Sequence, residues 1–132
     1  MGLAGITWWT TDIGGFHGGN PNDESFRELF LRWFAYGTFC PVMRTMFYQF
    51  PDDPKCWELD MQYMFGDEIL VAPVAHAGQT KMKVYLPKGY RWYDMWTEEY
   101  EGGQEILIDA PLEKIPLLTT NKKNCEFVMN NA

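Results

Sequence analysis

The sequence predicts an α/β unit followed by an all-β antiparallel sandwich. Three observations lead there. A β-branched and aromatic run over 6–11 gives way to a glycine-dense stretch over 14–19 and then to a helical repeat over 26–37. From residue 68 onward, short alternating runs are cut by turn residues roughly every eight to twelve positions. Of 132 residues, 46% are hydrophobic and 17% aromatic, which is ample for a packed core and sets disorder aside.

The elements follow in order. Ile6-Thr7-Trp8-Trp9-Thr10-Thr11 reads as a buried strand. It runs into Asp12-Ile13-Gly14-Gly15-Phe16-His17-Gly18-Gly19-Asn20-Pro21, a tight loop whose backbone approaches something closely. A helix comes next, with Asp23 or Ser25 as its cap and Glu24 and Glu28 favouring its first turn. Phe26, Leu29, Phe30, Trp33, Phe34 and Gly37 recur at helical spacing, while Arg27, Glu28 and Arg32 occupy the other face. This pattern predicts an amphipathic helix laid on a sheet. Strand, glycine loop and helix together are the unit of a parallel α/β fold.

Pro41 to Tyr48 reads as another strand, and Phe50-Pro51-Asp52-Asp53-Pro54 as a turn. Cys56 to Phe65 is a short helix or an irregular connection, ended by Gly66. The character then changes. Glu68 to Val74 is a buried strand, and Lys81 to Pro87 alternates. Arg91 to Trp96 follows a Lys88-Gly89 turn, Gln104 to Asp109 follows Gly102-Gly103, and Ile115 to Leu118 closes the run. The expected division is therefore 1–66, 67–119 as the sandwich, and a polar tail over 120–132 with only Phe127, Val128 and Met129 able to dock.

Charge and composition exclude several functions. A net charge of −7 with no Lys/Arg run disfavours nucleic acid. No apolar run reaches membrane-spanning length, and no basic-then-apolar leader opens the chain. Cys40, Cys56 and Cys125 are odd in number and follow no metal spacing, so a reduced, cytoplasmic compartment is expected. No His, Cys or carboxylate stands beside His17 at metal spacing, so no metal is expected.

Asp12 is the residue with the best claim to function. It stands at the end of a buried strand, where parallel α/β folds and (β/α)₈ barrels build their sites. Next to Trp8 and Trp9, its carboxylate suits hydrogen bonds from sugar hydroxyls; alternatively it accepts N–H groups of its own loop. Asp52, Asp53, Glu98, Glu99 and Glu101 lie beside turns and are expected in solvent, and Arg44 is expected in a structural ion pair. A carbohydrate-binding module is the rival class. Trp92 and Trp96, four apart on one face of a strand, would form its platform.

Several blocks together resemble glycoside hydrolase family 31, a family of α-glucosidases, α-xylosidases and related retaining enzymes. Trp9-Thr10-Thr11-Asp12-Ile13-Gly14-Gly15-Phe16 resembles the family's W-x-x-D-I-G-G-F segment. Arg32-Trp33-Phe34-Ala35-Tyr36-Gly37-Thr38-Phe39-Cys40-Pro41 is similar to R-W-F-Q-Y-G-A-F-C-P. Pro41 to Arg44, Phe50 to Pro54, Gln62 to Gly66 and Leu70 to Val74 resemble a second block. Tyr85-Leu86-Pro87, Trp92-Tyr93-Asp94, Tyr100 to Gly103 and Asp109 to Leu112 resemble the strands that follow.

The resemblance implies a remnant of a (β/α)₈ TIM barrel over 1–66, followed by a proximal β-sandwich over 67–119. It implies a fragment of a retaining α-glycosidase that hydrolyses O-glycosyl bonds of α-glucosides or α-xylosides. Asp12, with Trp9 and Phe16, would bind substrate in the first subsite. The family's nucleophile and acid/base aspartates lie on earlier barrel strands, so no catalytic residue is assigned and the chain is expected to be inactive alone. Where the family has a strand bearing R-x-H and a long helix, the two blocks here meet at Cys40-Pro41, with several dozen residues missing. The implied partners are an α-linked oligosaccharide or glycoside and the missing N-terminal part of the enzyme; no cofactor is implied. A truncated gene product without function is a further alternative.

Overall fold

The structure is a computed structural model, and it describes residues 19–39, 43–95 and 98–131. Helix α1 (Glu24–Phe39) leads to strand β1 (Met43–Thr45), a single helical turn α2 (Met46–Gln49) and a 3-10 turn (Pro54–Trp57). Strands β2 (Tyr63–Phe65), β3 (Ile69–Val71), β4 (Lys81–Leu86), β5 (Arg91–Asp94), β6 (Glu99–Glu101), β7 (Gln104–Asp109) and β8 (Leu117–Thr119) follow. Helix α3 (Lys122–Asn131) closes the described chain.

The strands form two antiparallel sheets. One has the order β1-β2-β3-β8-β5-β6 and the other pairs β4 with β7. Alternation decides which side of β4 is covered: Met82, Val84 and Leu86 are buried, and Lys81 and Lys83 are exposed. Their inner faces meet Leu70, Trp92 and Leu118 from the larger sheet, with Ile108 from β7, in one core. Trp92 is fully buried at its centre. Its ring lies edge-on to Phe50 at 6.0 Å, and its indole N–H donates to the carbonyl of Pro87 at 3.1 Å. The free edge of β4 is capped by a side chain: buried Gln62 donates Nε2–H to the Tyr85 carbonyl and accepts the Tyr85 N–H, both at 2.8 Å.

The expected sandwich is present, and four details differ from expectation. The strand expected over 41–48 is a strand only over Met43–Thr45. The chain then coils through α2, which turns Met46 fully into the core. β1 is antiparallel to β2, as an outer strand of the larger sheet rather than a strand of a parallel unit, and the β2–β3 hairpin turns at Gly66 with φ +62°. The polar tail is helical over Lys122–Asn131, started by Asn121, whose Oδ1 accepts the Lys123 N–H. Trp92 is buried and cannot line a sugar platform; Trp96 lies outside the described residues.

The largest difference concerns α1. Its apolar stripe is covered only in part: Gly37 is buried and Phe26 and Trp33 are half-buried. Glu28, Arg32, Ala35, Tyr36 and Phe39 are partly buried, whereas Leu29, Phe30 and Phe34 are 53%, 42% and 57% exposed. The helix is therefore held to the sandwich by its polar side. Tyr36 and Phe39 close the contact edge-on, against Tyr63 at 6.2 Å and Phe65 at 5.4 Å.

Candidate functional site

The residues expected to bind substrate, Trp9, Asp12 and Phe16, lie outside the described residues. What the structure does show is how the end of their glycine loop is tied down. Gly19 has φ +98°, and a Cβ there would lie 2.2 Å from the ring of Phe26, so only glycine lets the loop end pass so close to α1. Asn20 Oδ1 accepts the Asn22 N–H at 3.0 Å. Asp23 Oδ1 accepts the Ser25 N–H at 3.0 Å and the Ser25 hydroxyl at 2.9 Å, and Arg27 donates to the Pro21 carbonyl at 3.1 Å. These bonds satisfy free groups at the start of the helix and fix the direction from which the loop arrives.

Arg32 then fixes α1 on the sandwich. Its side chain is 14% exposed. It donates to the Gln79 carbonyl at 2.9 Å and to the Ala110 carbonyl at 3.5 Å. Glu28, 3.5 Å from Arg32, accepts the Gly78 N–H at 2.9 Å. Sequence reasoning left both residues on the solvent face. The signal it lacked is long-range: their partners are carbonyl and amide groups in loops about 50 residues or more away.

Asp53 is a further correction. It was expected in solvent but is 7% exposed, and its carboxylate accepts the Tyr85 hydroxyl at 2.8 Å, the Lys88 N–H at 3.1 Å and the Lys55 N–H at 3.2 Å. Burial would raise its pKa, but the hydrogen bonds from Lys88, Tyr85 and Lys55 outweigh that and hold the carboxyl below the usual value. Burial, followed by the bond to Asp53, pushes Tyr85 up to about 12. Burial, followed by the Asp53 charge, pushes the Cys56 thiol up to about 12. A carboxylate that accepts three hydrogen bonds and is held ionised is a poor proton donor. Asp53 is a clamp between the turn after α2 and the end of β4 with the connection that leads on to β5. Arg44 pairs with Asp67 at the surface, as the ion-pair expectation had it, and its guanidinium lies over Tyr48 at 5.9 Å.

Asp53, Arg32 and Glu28 thus brace the chain. In the described residues the fold is a two-sheet β-domain with helix α1 fastened to its side. Comparison with known proteins agrees. Residues 1–69 match the glycosyl hydrolases family 31 TIM-barrel domain, and residues 40–122 match the glycosyl hydrolase family 31 C-terminal domain. The chain belongs to glycosyl hydrolase family 31.

It is 33% identical to an alpha-xylosidase of Saccharolobus solfataricus over 87% of this chain and 23% of the relative. It is 42% identical to alpha-glucosidase 2 of Bacillus thermoamyloliquefaciens over 63% of this chain and 10% of the relative. Among solved structures, a family 31 alpha-xylosidase from a soil metagenome, complexed with xylose, superposes with a TM-score of 0.90 at 34% identity, over 97% of this chain and 30% of that one. The chain thus spans a quarter or less of the length of these curated relatives. The alignment to the Saccharolobus enzyme runs over 167 positions but takes in 87% of 132 residues, about 115, so about 50 positions are filled by the relative alone.

Proposed function

We propose that this chain supplies one wall of the sugar pocket, and the sandwich that braces it, to a retaining α-glycosidase acting on α-glucosides or α-xylosides. Asp12, with Trp9 and Phe16 beside it, binds sugar hydroxyls in the first subsite. The observation that carries this reading is the Trp9-to-Phe16 segment within the barrel-domain match over 1–69, followed by a loop end locked onto α1 by Gly19, Asn20 and Asp23. Support comes from relatives: the soil-metagenome alpha-xylosidase is complexed with xylose, and a Flavobacterium johnsoniae family 31 dextranase with glucose.

Alone, the chain is inactive in this reading. A retaining reaction needs two carboxyl groups about 5–5.5 Å apart across the scissile bond, one as nucleophile and one as acid/base. Asp53 is buried and accepts three hydrogen bonds from the chain itself. Asp12 serves to bind, so neither plays those parts. Turnover of aryl α-glucoside and α-xyloside by the 132-residue chain should stay at the buffer rate; turnover above it that vanishes in Asp12→Ala would overturn the reading. In an assembled enzyme, Asp12→Asn should lower kcat as well as raise KM, because bonds from ring hydroxyls strengthen in the transition state.

A further inference from the structure

The turn that Asp53 clamps carries an aromatic pair on its outside. Asp53 caps the start of the 3-10 turn Pro54–Trp57, and Cys56 in that turn is fully buried. Trp57, about 120° further round the turn, faces outward. Its ring stacks on Phe47 of α2, with centroids 5.0 Å apart and planes at 22°. Its indole N–H donates to the Pro51 carbonyl at 3.1 Å. One face and the polar edge of the ring are therefore taken, yet Trp57 is 61% exposed, so its other face is open to water. A ring pinned at two points loses little freedom when something stacks on it, which lowers the cost of binding.

We propose that the open face of Trp57 binds a pyranose ring of an α-linked oligosaccharide. With its N–H engaged, the indole offers a ligand no donor, only a flat apolar face, and the C–H face of a pyranose is flat and apolar too. Charge disfavours ionic ligands of either sign. Arg44, whose guanidinium lies over the neighbouring Tyr48 ring, and Lys55, in the same turn as Trp57, repel cations. The net charge of −7 repels anions. Exposed Asp52 and Glu58 flank the turn as acceptors for hydroxyls, and exposed Lys55 is a donor. A neutral polyol with an apolar face fits these surroundings. That this polyol is a sugar, though not where it binds, rests on the reading of this chain as part of an α-glycosidase. A sugar contact here would also raise the local concentration of a long α-linked chain around the polypeptide that holds it.

The test titrates the isotope-labelled 132-residue chain with isomaltotriose and follows the indole N–H resonances of its six tryptophans by NMR. Trp57→Phe deletes one resonance and so assigns it. The expected result is a saturable shift of the Trp57 signal with a dissociation constant of about 1–10 mM, the weak affinity that one stacked ring supports. Trp57→Ala, at an exposed position, should weaken binding at least about tenfold, read from saturation transfer to the sugar, while far-UV circular dichroism stays unchanged. Trp57→Phe should keep part of the binding, and Leu107→Ala, equally exposed but on β7, should keep all of it. No saturable shift at Trp57 up to about 50 mM isomaltotriose would overturn the proposal, and so would binding undiminished in Trp57→Ala. A shift with choline but none with isomaltotriose would overturn it as well, by marking a cation site. Asp12→Ala separates this site from the pocket. Sugar binding lost in Asp12→Ala but kept in Trp57→Ala would sink the Trp57 site and leave the pocket reading standing. Binding lost in Trp57→Ala and unchanged in Asp12→Ala would support the Trp57 site and count against Asp12 as a sugar ligand in this chain.

Discussion

Asp53→Ala should cost far more than a turn aspartate normally does. The substitution removes the acceptor of three hydrogen bonds, from the Tyr85 hydroxyl at 2.8 Å and the N–H groups of Lys88 and Lys55 at 3.1 and 3.2 Å. Each bond to a charged acceptor is worth about 1.5–3 kcal/mol. Water reaches the two part-buried backbone donors after the change, so the buried Tyr85 hydroxyl bears most of the loss. A total of roughly 3–5 kcal/mol follows. With about 2.1 cal/mol/K of unfolding entropy per residue, 132 residues convert this to a fall in Tm of roughly 11–18 °C.

Thermal and urea unfolding followed by circular dichroism would measure it. Tyr85→Phe in the same background closes a double-mutant cycle, and the coupling between the two sites should be at least about 1 kcal/mol. A loss below about 1 kcal/mol for Asp53→Ala, or additivity of the two changes to within roughly 0.3 kcal/mol, would refute the clamp. The pH dependence has a definite sign. The folded carboxyl titrates below its unfolded value. Its stabilisation is therefore complete above an unfolded pKa of about 3.9 and is lost as pH falls through the folded pKa. The gap in stability between the unaltered chain and Asp53→Asn should narrow in acid and stay constant between about pH 6 and 8.

Three further outcomes can be checked. Trp92→Ala empties the centre of the core and removes the bond to Pro87, so it should cost about 3–5 kcal/mol in urea unfolding. Arg32→Met should speed hydrogen exchange along α1 about tenfold or more, as expected when a fastening worth over 1 kcal/mol is cut, while Leu70 and Val84 in the core keep their protection. Cys56, buried and raised to about 12, should react with iodoacetamide at pH 8 about 10³-fold more slowly than an unperturbed thiol and label mainly on unfolding.

Local pattern made most of the β-domain legible. Alternation along Lys81 to Leu86 fixes both strand and buried face, and turn residues at Lys88-Gly89 and Gly102-Gly103 separate β4, β5 and β7. At Gly102 the reason is steric: a Cβ would lie 2.2 Å from the Pro87 carbonyl. The misreadings share one origin, a partner remote in sequence. Asp53 sits in an Asp-Asp-Pro turn and reads as solvated, because nothing nearby announces that Tyr85 will donate to it. The apolar stripe of α1 is correctly drawn from periodicity, but periodicity says only that a face seeks cover, not which body covers it. The polar side has its partners in the carbonyls of Gln79 and Ala110. The expected site residues Trp9, Asp12 and Phe16 fall outside the described residues.

The shortened join between the two family blocks has a physical rationale in the same contacts. Three residues separate the end of α1 at Phe39 from the start of β1 at Met43, a path of at most about 14 Å. The alignment with the Saccharolobus enzyme contains about 50 positions absent here. A connection so short is tolerable only if its two ends already lie close. They do: Phe39 meets Phe65 at 5.4 Å, and Phe65 is the β-partner of Met43, the residue to which the join must lead. The placement of α1 is therefore held by side-chain contacts that do not pass through the join: Arg32 on two carbonyls, Glu28 on an amide, Tyr36 and Phe39 on β2. A segment whose ends are pinned independently in this way can differ in length without moving what lies on either side of it.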